Sequence, residues 1–210
     1  MPAGLLLPAS GPEFALPPNL HYTPPMPNPS TVYLIRHATP DRTLRDLPYD
    51  VPPGPPLSAQ GRNEAYLLAN HLANAGIQRL YTSAMARAYE TATILATTLD
   101  LPATLDPDLL EIPFGTRLAD IADRMHNFWQ RLAGDAPDDG PIALVSHGGP
   151  ITALLQGVVT PPLDLSPFMQ RFDYNNPLPP AGVWELNRRN DGSWQGTLRF
   201  YPLAVDMRRA

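Results

Sequence analysis

Residues 31–37, Thr-Val-Tyr-Leu-Ile-Arg-His, join a run of β-branched, aromatic and aliphatic side chains to a basic pair. An uncharged run of this composition is typical of a buried strand in a parallel sheet. The strand ends at Arg36 and His37, and ligands of open parallel sheets bind beyond the carboxyl ends of the strands. The stretch therefore predicts an α/β fold and the edge of the sheet at which functional side chains are expected.

Strands and helices alternate along the rest of the sequence. Further strands are predicted at 78–82, 103–105 and 141–146, with a terminal hairpin at 183–186 and 194–201. Helices are predicted between the strands, at 58–75, 83–99, 117–132 and from Gly149 onward, with Ser58 and Ser83 as expected N-caps. This order predicts a three-layer α/β sandwich, in which helices cover both faces of a mainly parallel sheet and the C-terminal hairpin adds antiparallel strands.

The composition excludes several classes of protein. The chain has 210 residues, 43% of them hydrophobic, and a formal net charge of −5, so we expect a folded domain without general affinity for nucleic acid or anionic membranes. The absence of cysteine excludes disulfides, thiolate catalysis and cysteine-ligated zinc. No stretch is long and apolar enough to span a membrane, and no basic segment precedes the apolar residues near the start. We therefore expect a cytoplasmic protein.

The 28 prolines are concentrated at 1–30, 40–56 and 161–180. Proline interrupts helices and sheet ladders, so these segments are expected to be loops or extended chain. We expect residues 1–30 to form a proline-rich N-terminal arm and residues 31–210 to form a single domain. We interpret the arm as a flexible tail. The alternative is an arm that packs on a partner subunit and so forms a homodimer.

Side chains suited to chemistry follow each predicted parallel strand. They are Arg36 and His37 after the first strand, Ser83 and Arg87 after the second, Glu111 after the third and His147 after the fourth. Because the carboxyl ends of parallel strands meet at one edge of a sheet, we expect these side chains to converge there.

This set of side chains favours phosphoryl transfer. Two guanidiniums can hold the charged oxygens of a phosphate group in fork geometry, and helix N-termini at Ser83 and Gly149 add amides and partial positive charge. A neutral imidazole can attack phosphorus, a carboxylic acid can protonate the leaving oxygen, and a protonated second histidine can stabilise the equatorial oxygens. Since arginine and histidine supply the positive charge, no metal or other cofactor is expected.

Five segments of the chain resemble those of the histidine phosphatase superfamily, the phosphoglycerate-mutase-like proteins. They are LIRHAT (34–39), LSAQGRNEA (57–65), YTSAMARAYETA (81–92), LLEIPFG (109–115) and VSHGGPI (145–151). The resemblance covers residues 31–201, almost the whole of the expected domain. The ordered set, with S-x-x-x-R and S-H-G-G, is far more specific than a single Arg-His dipeptide.

The resemblance implies a role for each matching residue of the site. His37 matches the catalytic nucleophile that becomes phosphorylated, and Glu111 matches the catalytic proton donor. Arg36 and Arg87 match residues of the phosphate pocket. His147 completes this pocket and matches a further catalytic residue. The implied activity is a metal-independent phosphomonoesterase that forms a phosphohistidine and acts on a small phosphorylated substrate.

The resemblance also covers residues for which we expect a structural role. Ser58 and Gly61 match a motif that positions the first helix. Ser83 is interpreted as a helix cap rather than a phosphate contact, and Thr91 as a packing residue.

Departures from the family pattern favour a compact phosphatase over a mutase. Thr39 stands where many members have glutamate, and residues 116–118 replace an aromatic-Glu-Gly segment. Only one helix is predicted between Glu111 and His147, where the mutases carry a larger insertion. Ala38, in place of the commoner glycine, is a mild variant.

Three alternatives remain open. The first is a phosphomutase on the same fold, and the second is a non-catalytic phosphate-binding module that uses its arm for association. The third is a histidine-ligated metal site, which the neighbouring arginines disfavour because they repel a cation.

Two regions are the expected contributors to substrate selection. The loop 40–56 leaves directly from the predicted nucleophile, and its Arg42 and Arg45 could meet a second anionic group. Phe128 and Trp129 are predicted to be core residues, with lining of a substrate cleft as the alternative.

Overall fold

The structure, a computed structural model, describes residues 30–113, 115–132, 140–172 and 176–202. All but the last residue of the expected N-terminal arm, and any dimer contact made through it, therefore lie outside the described residues. Within the described ranges, no helix has the length and apolar character needed to cross a membrane.

The described chain forms six strands and five α-helices in an alternating order. They are β1 (Thr31–Arg36), α1 (Ala59–Leu72), β2 (Arg79–Thr82), α2 (Ala86–Leu99), β3 (Ala103–Leu105), α3 (Leu118–Leu132), β4 (Ile142–Ser146), α4 (Gly148–Val158), α5 (Ser166–Arg171), β5 (Val183–Arg188) and β6 (Trp194–Phe200). A short 3₁₀ helix at Pro107–Leu109 lies between β3 and α3. The predicted strands and the four predicted helices are all confirmed, with shifts of a few residues at their ends, whereas α5 was not predicted.

One sheet contains all six strands, in the order β3-β2-β4-β1-β5-β6. The strands β3, β2, β4 and β1 run parallel to one another, whereas β5 is antiparallel to both β1 and β6. This topology confirms the predicted mainly parallel sheet with a C-terminal antiparallel hairpin. It also places β1 and β4 side by side, with Arg36 opposite Ser146.

The uncharged run in β1 reflects burial of both faces of the sheet. Val32 and Leu34 belong to one core cluster, which includes the apolar residues of α3 and α4. Tyr33 and Ile35 point to the other face and belong to a second cluster with the apolar residues of α1 and α2. Because successive side chains of a strand alternate between faces, a strand covered on both sides needs apolar residues at every position.

Two expectations about local structure are wrong. The helix α2 begins at Ala86 with Met85 at the N-cap, so Ser83 does not cap it, although its hydroxyl accepts a hydrogen bond from the Met85 amide at 3.2 Å. The proline-rich segment 161–180 contains the helix α5, which was expected to be loop. Pro167 lies in the first turn of α5, where proline is tolerated because the amide it lacks has no helical partner.

The first turn of α1 is fixed against the segment that follows β1. The Ser58 hydroxyl accepts from the Gly61 amide at 3.0 Å, as predicted for an N-cap, and donates to the Thr39 carbonyl at 3.1 Å. A Cβ added at Gly61 would collide with that same Thr39 carbonyl oxygen. The L-S-x-x-G segment therefore positions Thr39 as well as the helix, and Thr39 follows His37 closely in sequence.

We expect Gly61→Ala to destabilise the fold, because α1 must move away from a backbone carbonyl that cannot yield easily. The expected loss is about 1–3 kcal/mol of unfolding free energy, measured by chemical denaturation. Gly157→Ala in α4 is the matched control, since a Cβ there meets nothing within 4 Å and alanine has the higher helix propensity. Equal unfolding free energies for the two variants would contradict this assignment.

Candidate active site

The two predicted site histidines lie beside each other at the carboxyl ends of β1 and β4. His37 directly follows β1, and its amide donates to the Ser146 carbonyl of β4 at 3.0 Å. His147 directly follows Ser146, and the centroids of the two imidazole rings are 5.1 Å apart. Both side chains are almost fully buried. The parallel pairing of β1 with β4 therefore brings together two residues that are far apart in sequence.

The hydrogen bonds of His37 fix which of its ring nitrogens carries the proton. Nδ1 lies 2.7 Å from the Ala38 carbonyl oxygen, which can only accept, so Nδ1 is the donor. Arg87 Nε donates to Nε2 at 3.2 Å, and a guanidinium can only donate. Both contacts assign the proton to Nδ1 and leave the lone pair on Nε2.

The guanidinium of Arg87 connects three other segments of the site. The side chain is fully buried and extends from the first turn of α2. In addition to His37, it donates from Nη1 to the Tyr49 carbonyl at 3.0 Å and from Nη2 to Glu111 Oε2 at 3.3 Å. Its carbon Cζ also lies 4.1 Å from the centroid of the Tyr49 ring. Arg87 thus joins His37, the proline-rich loop and Glu111.

Glu111 is held at the site by contacts to the loop that carries it. The Ser146 hydroxyl donates to the Leu109 carbonyl at 2.8 Å, and Arg124 Nη2 of α3 donates to the Leu110 carbonyl at 2.8 Å. The Glu111 side chain is about 16% exposed and faces both Arg87 and His147. The structure therefore brings the predicted acidic residue to the predicted histidines.

His147 has one bonded ring nitrogen and one that points to the acidic residue. Nε2 lies 2.9 Å from the Ser83 hydroxyl. Nδ1 is buried and makes no hydrogen bond with any described residue, although Glu111 Oε2 lies 3.4 Å away. Since Ser83 already accepts from the Met85 amide, its own proton can go to Nε2 of His147. That arrangement leaves the proton of His147 on Nδ1, directed towards the site.

Arg36 is buried at the end of β1. Its Nη1 donates to the Leu178 carbonyl at 2.9 Å. Leu178 lies in the proline-rich segment 161–180, which therefore helps to orient a predicted site residue. All five predicted site residues are thus brought together at one edge of the sheet.

The prediction that Ser83 caps α2 is wrong, and Ser83 contacts His147 instead. Thr91 is buried, as expected of a packing residue. Its hydroxyl also accepts from the Ala38 amide at 3.0 Å and donates to the Arg87 carbonyl at 2.7 Å. The spacing of Thr91 one turn after Arg87 was the available signal, since a hydroxyl on that face of α2 meets the segment after β1.

A cavity of about 410 Å³ opens beside these residues. Its lining includes Arg36, His37 and Glu111 on one side and Tyr49 and Arg42 from the proline-rich loop on the other. Tyr49 was not predicted, because a tyrosine within a loop carries no signal of its own. Arg42 was predicted and stacks on the Tyr49 ring at 4.7 Å, whereas the second predicted loop arginine, Arg45, is exposed and is not among the lining residues.

Burial and the two arginines act in the same direction on both imidazoles. Loss of solvation is the largest influence and the positive charges of Arg87 and Arg36 add to it, so the pKa of His37 is well below its ordinary value. The pKa of His147 is also well below its ordinary value, because of burial and the neighbouring His37, Arg87, Arg36 and Arg124. A pKa below the ordinary value of about 6.5 favours the neutral form of both rings at pH 7. The surroundings of His147 therefore do not favour the protonated form that the sequence suggests.

His37, Glu111 and His147 have potential metal ligand atoms within 4.8 Å of one another. Arg87 donates hydrogen bonds to two of these atoms, His37 Nε2 and Glu111 Oε2. A cation would have to displace the guanidinium and then remain next to it. The charge of the site therefore fits an anion better than a metal ion.

The fold places two buried histidines beside buried arginines at one edge of the sheet, and this site suits an anion. Fold and site together define an α/β protein of the phosphoryl-transfer class. The family model of the histidine phosphatase superfamily (branch 1) matches residues 32–118 and 113–193. The chain belongs to this superfamily, which confirms the resemblance inferred from its motifs.

Two curated relatives match part of the chain. An uncharacterised protein of Mycobacterium tuberculosis is 37% identical over 86 residues, 41% of this chain and 42% of the relative. A probable phosphoglycerate mutase GpmB of Serratia proteamaculans is 30% identical over 115 residues, 53% of each chain. The chain thus aligns with about two fifths to one half of the length of these relatives.

Two solved structures share the fold over most of their length. Mycobacterial glucosyl-3-phosphoglycerate phosphatase in complex with VO3 has a TM-score of 0.66 at 20% identity, with 82% of this chain and 100% of that chain covered. Phosphoserine phosphatase of Entamoeba histolytica in complex with 3-phosphoglyceric acid has a TM-score of 0.62 at 19% identity, with 83% and 98% covered. At these identities the likeness confirms the predicted fold.

We expect acid to destabilise the protein through the two buried histidines. Their folded-state pKa lies below the unfolded value of about 6.5, so the unfolded chain binds more protons below that pH. The unfolding free energy then falls as the pH drops from about 6.5, by up to about 1.4 kcal/mol per pH unit for each histidine. His37→Gln removes one contribution, and the slope of unfolding free energy against pH should become shallower. An unchanged slope between about pH 6.5 and pH 5 would contradict the assignment.

Proposed function

We propose that this protein is a metal-independent phosphomonoesterase that works through a phosphohistidine on His37 and acts on a small phosphorylated substrate. The observation that carries the proposal is the tautomer of His37. Its Nδ1 proton is held by the Ala38 carbonyl, so the lone pair lies on Nε2, where it accepts from Arg87 Nε at 3.2 Å until a phosphate group takes over that donor, and His37 lines the cavity. A neutral imidazole with an available lone pair is the form that attacks phosphorus. The superfamily to which the chain belongs supports this chemistry.

The phosphate group is proposed to bind among Arg36, Arg87 and His147. Arg87 offers Nε and Nη2, which now donate to His37 and Glu111, and His147 offers the buried Nδ1 that has no hydrogen-bond partner among the described residues. The amides at the start of α4, which opens with Gly148 and Gly149, line the same cavity and favour an anion. These donors can stabilise the charge on the phosphoryl oxygens as it develops.

Glu111 is proposed to be the proton donor to the leaving group. Its carboxylate lines the cavity beside His37 and His147. A phosphate dianion that takes over Arg87 would leave the carboxyl next to a negative charge, which favours its protonated form. The protonated carboxyl can then donate to the oxygen that leaves phosphorus.

The proposed reaction has two steps. In the first, Nε2 of His37 forms a bond to phosphorus, the bond from phosphorus to the ester oxygen breaks, and Glu111 gives its proton to that oxygen, so that an alcohol leaves. In the second, a water molecule attacks phosphorus while Glu111 accepts its proton, and the bond from Nε2 to phosphorus breaks. The products are the alcohol and inorganic phosphate, and His37 returns to its starting form.

We expect rapid acid-sensitive labelling of His37 by an aryl phosphate. Quenching the reaction with 4-nitrophenyl phosphate within milliseconds and mapping the protein by mass spectrometry should place the phosphoryl group on His37. Labelling should be lost in His37→Gln and retained in His71→Gln, which changes a histidine in the last turn of α1. Unchanged turnover in His37→Gln would refute the proposal, and loss of turnover on addition of EDTA would refute metal independence. Interconversion of monophosphoglycerates would identify a mutase instead.

Glu111→Gln separates protonation of the leaving group from the attack on phosphorus. For an alkyl phosphate, whose alkoxide needs a proton, we expect kcat/KM to fall about 10²–10⁴-fold. For 4-nitrophenyl phosphate, whose leaving group is stable as an anion, the loss should be about tenfold or less. Asp108→Asn is the matched control, because Asp108 lies on the same loop but pairs with Arg131 at 2.6 Å. Equal losses for both substrates would exclude the proton-donor role.

A further inference from the structure

A second and larger cavity of about 830 Å³ opens from the proposed phosphate pocket. The two cavities share four lining residues, Ile112, Gly148, Gly149 and Asn176. From there the larger cavity continues between α3 and α4, and we call it the α3–α4 groove. Its volume is within the range of small-molecule binding sites.

Most side chains that line the α3–α4 groove are apolar, and the polar ones are Asp123, His126, Gln130, Thr152, Gln156 and Asn176. Trp129 and Trp194 line it and meet edge to face, with ring centroids 4.9 Å apart. Met125 and Met169 line it as well, and methionine adapts to apolar ligands of different shape. Among the described residues that line it there is no arginine; His126 is the basic side chain and Asp123 the acidic one. A second phosphate or a carboxylate would therefore meet no guanidinium from these residues.

Glycines keep the passage between the two cavities open. A Cβ at Gly149 would collide with the end of the Ile112 side chain, and a Cβ at Gly148 would collide with the Asn176 amide oxygen. The side chains of Ile112 and Asn176 therefore pack directly on the backbone at the start of α4. Any other residue at either position would have to displace these side chains, which line both cavities.

The groove lies on the side of the pocket from which the alcohol would leave. Ile112 follows the proposed proton donor Glu111, and it lines both cavities. The Glu111 carboxyl must reach the ester oxygen to protonate it. The rest of the alcohol is bonded to that oxygen and must therefore extend on the side of the carboxyl. Ile112 is the first side chain that this part of the substrate would meet.

We infer that the α3–α4 groove binds the alcohol part of the substrate, and that the substrate is a phosphate monoester of a large apolar alcohol. The inference rests on the proposed phosphatase function. Burial of apolar surface is the interaction that such a groove provides. Small hydrophilic esters would leave the groove unfilled and would lose that contribution.

A series of straight-chain alkyl phosphates tests this inference, because their leaving alcohols are equally basic and only the apolar surface changes. We expect kcat/KM of the full chain to rise by about threefold per methylene, or roughly 80-fold from ethyl to hexyl phosphate. Both esters are to be used below the concentration at which they form micelles. Equal kcat/KM values would overturn the inference and leave the proposed phosphatase function standing.

A matched pair of variants on α3 tests the location. Ala122 and Asn127 are both exposed, but only Ala122 lines the groove. Ala122→Trp should narrow the groove and lower the hexyl-to-ethyl ratio by at least about tenfold, with ethyl phosphate hydrolysed within about twofold of the unchanged chain. Asn127→Trp should keep the ratio. A ratio retained in Ala122→Trp would overturn the assignment of the groove.

Binding of non-hydrolysable analogues distinguishes failure of this inference from failure of the proposed function. Hexylphosphonate should bind more tightly than ethylphosphonate in calorimetry, and Ala122→Trp should remove the difference. If neither ester is hydrolysed but this difference in binding is found, the groove is supported and the phosphatase function fails. If the two phosphonates bind equally, the groove inference fails whatever the activity.

Discussion

The buried guanidinium of Arg87 is the constraint on which the site depends. A fully buried cation is costly unless its donors are satisfied, and Arg87 finds acceptors on His37, on Glu111 and on the backbone of Tyr49. These acceptors come from the end of β1, the loop after β3 and the proline-rich loop. Satisfying one side chain of α2 therefore fixes three segments that are distant in sequence. The hydrogen bond from Arg87 Nε keeps the His37 lone pair on Nε2, and burial together with the charge of Arg87 lowers the pKa of the ring.

Much of the fold could be predicted, because its signals are local. The uncharged run of β1 indicates a strand that is buried on both faces of the sheet, and the alternation of strands and helices indicates parallel pairing. The helix α5 was missed because proline was read only as a breaker, whereas Pro167 occupies a first-turn position that accepts it. The convergence of the five site residues was predictable in turn, since parallel strands bring their carboxyl ends to one edge.

The parts of the site that could not be predicted are contacts between segments without periodic patterns. A serine that precedes a helix gives the same sequence pattern whether it caps the helix or hydrogen-bonds a histidine that follows another strand. The sequence therefore could not predict the contact between Ser83 and His147. The stacking of Tyr49 on Arg87 depends on the path of the loop 40–56, which composition alone does not define. The α3–α4 groove likewise arises from the spacing of two packed helices. Trp129 belongs to the apolar face predicted for α3, yet the same ring also borders the groove.

Glu111 links anion binding to proton donation in the proposed reaction. Its carboxylate contacts Arg87 and faces Nδ1 of His147, so it occupies the donors that a phosphate group requires. A phosphate that binds there must replace the carboxylate at the guanidinium. The exchange removes the positive partner of Glu111 and sets a dianion beside it, and both changes favour a proton on the carboxyl. In the proposed reaction the carboxyl therefore acts as a proton donor once the phosphate group holds Arg87, and it returns to Arg87 after phosphate leaves, so one residue serves both as a partner of the guanidinium and as the source of the proton.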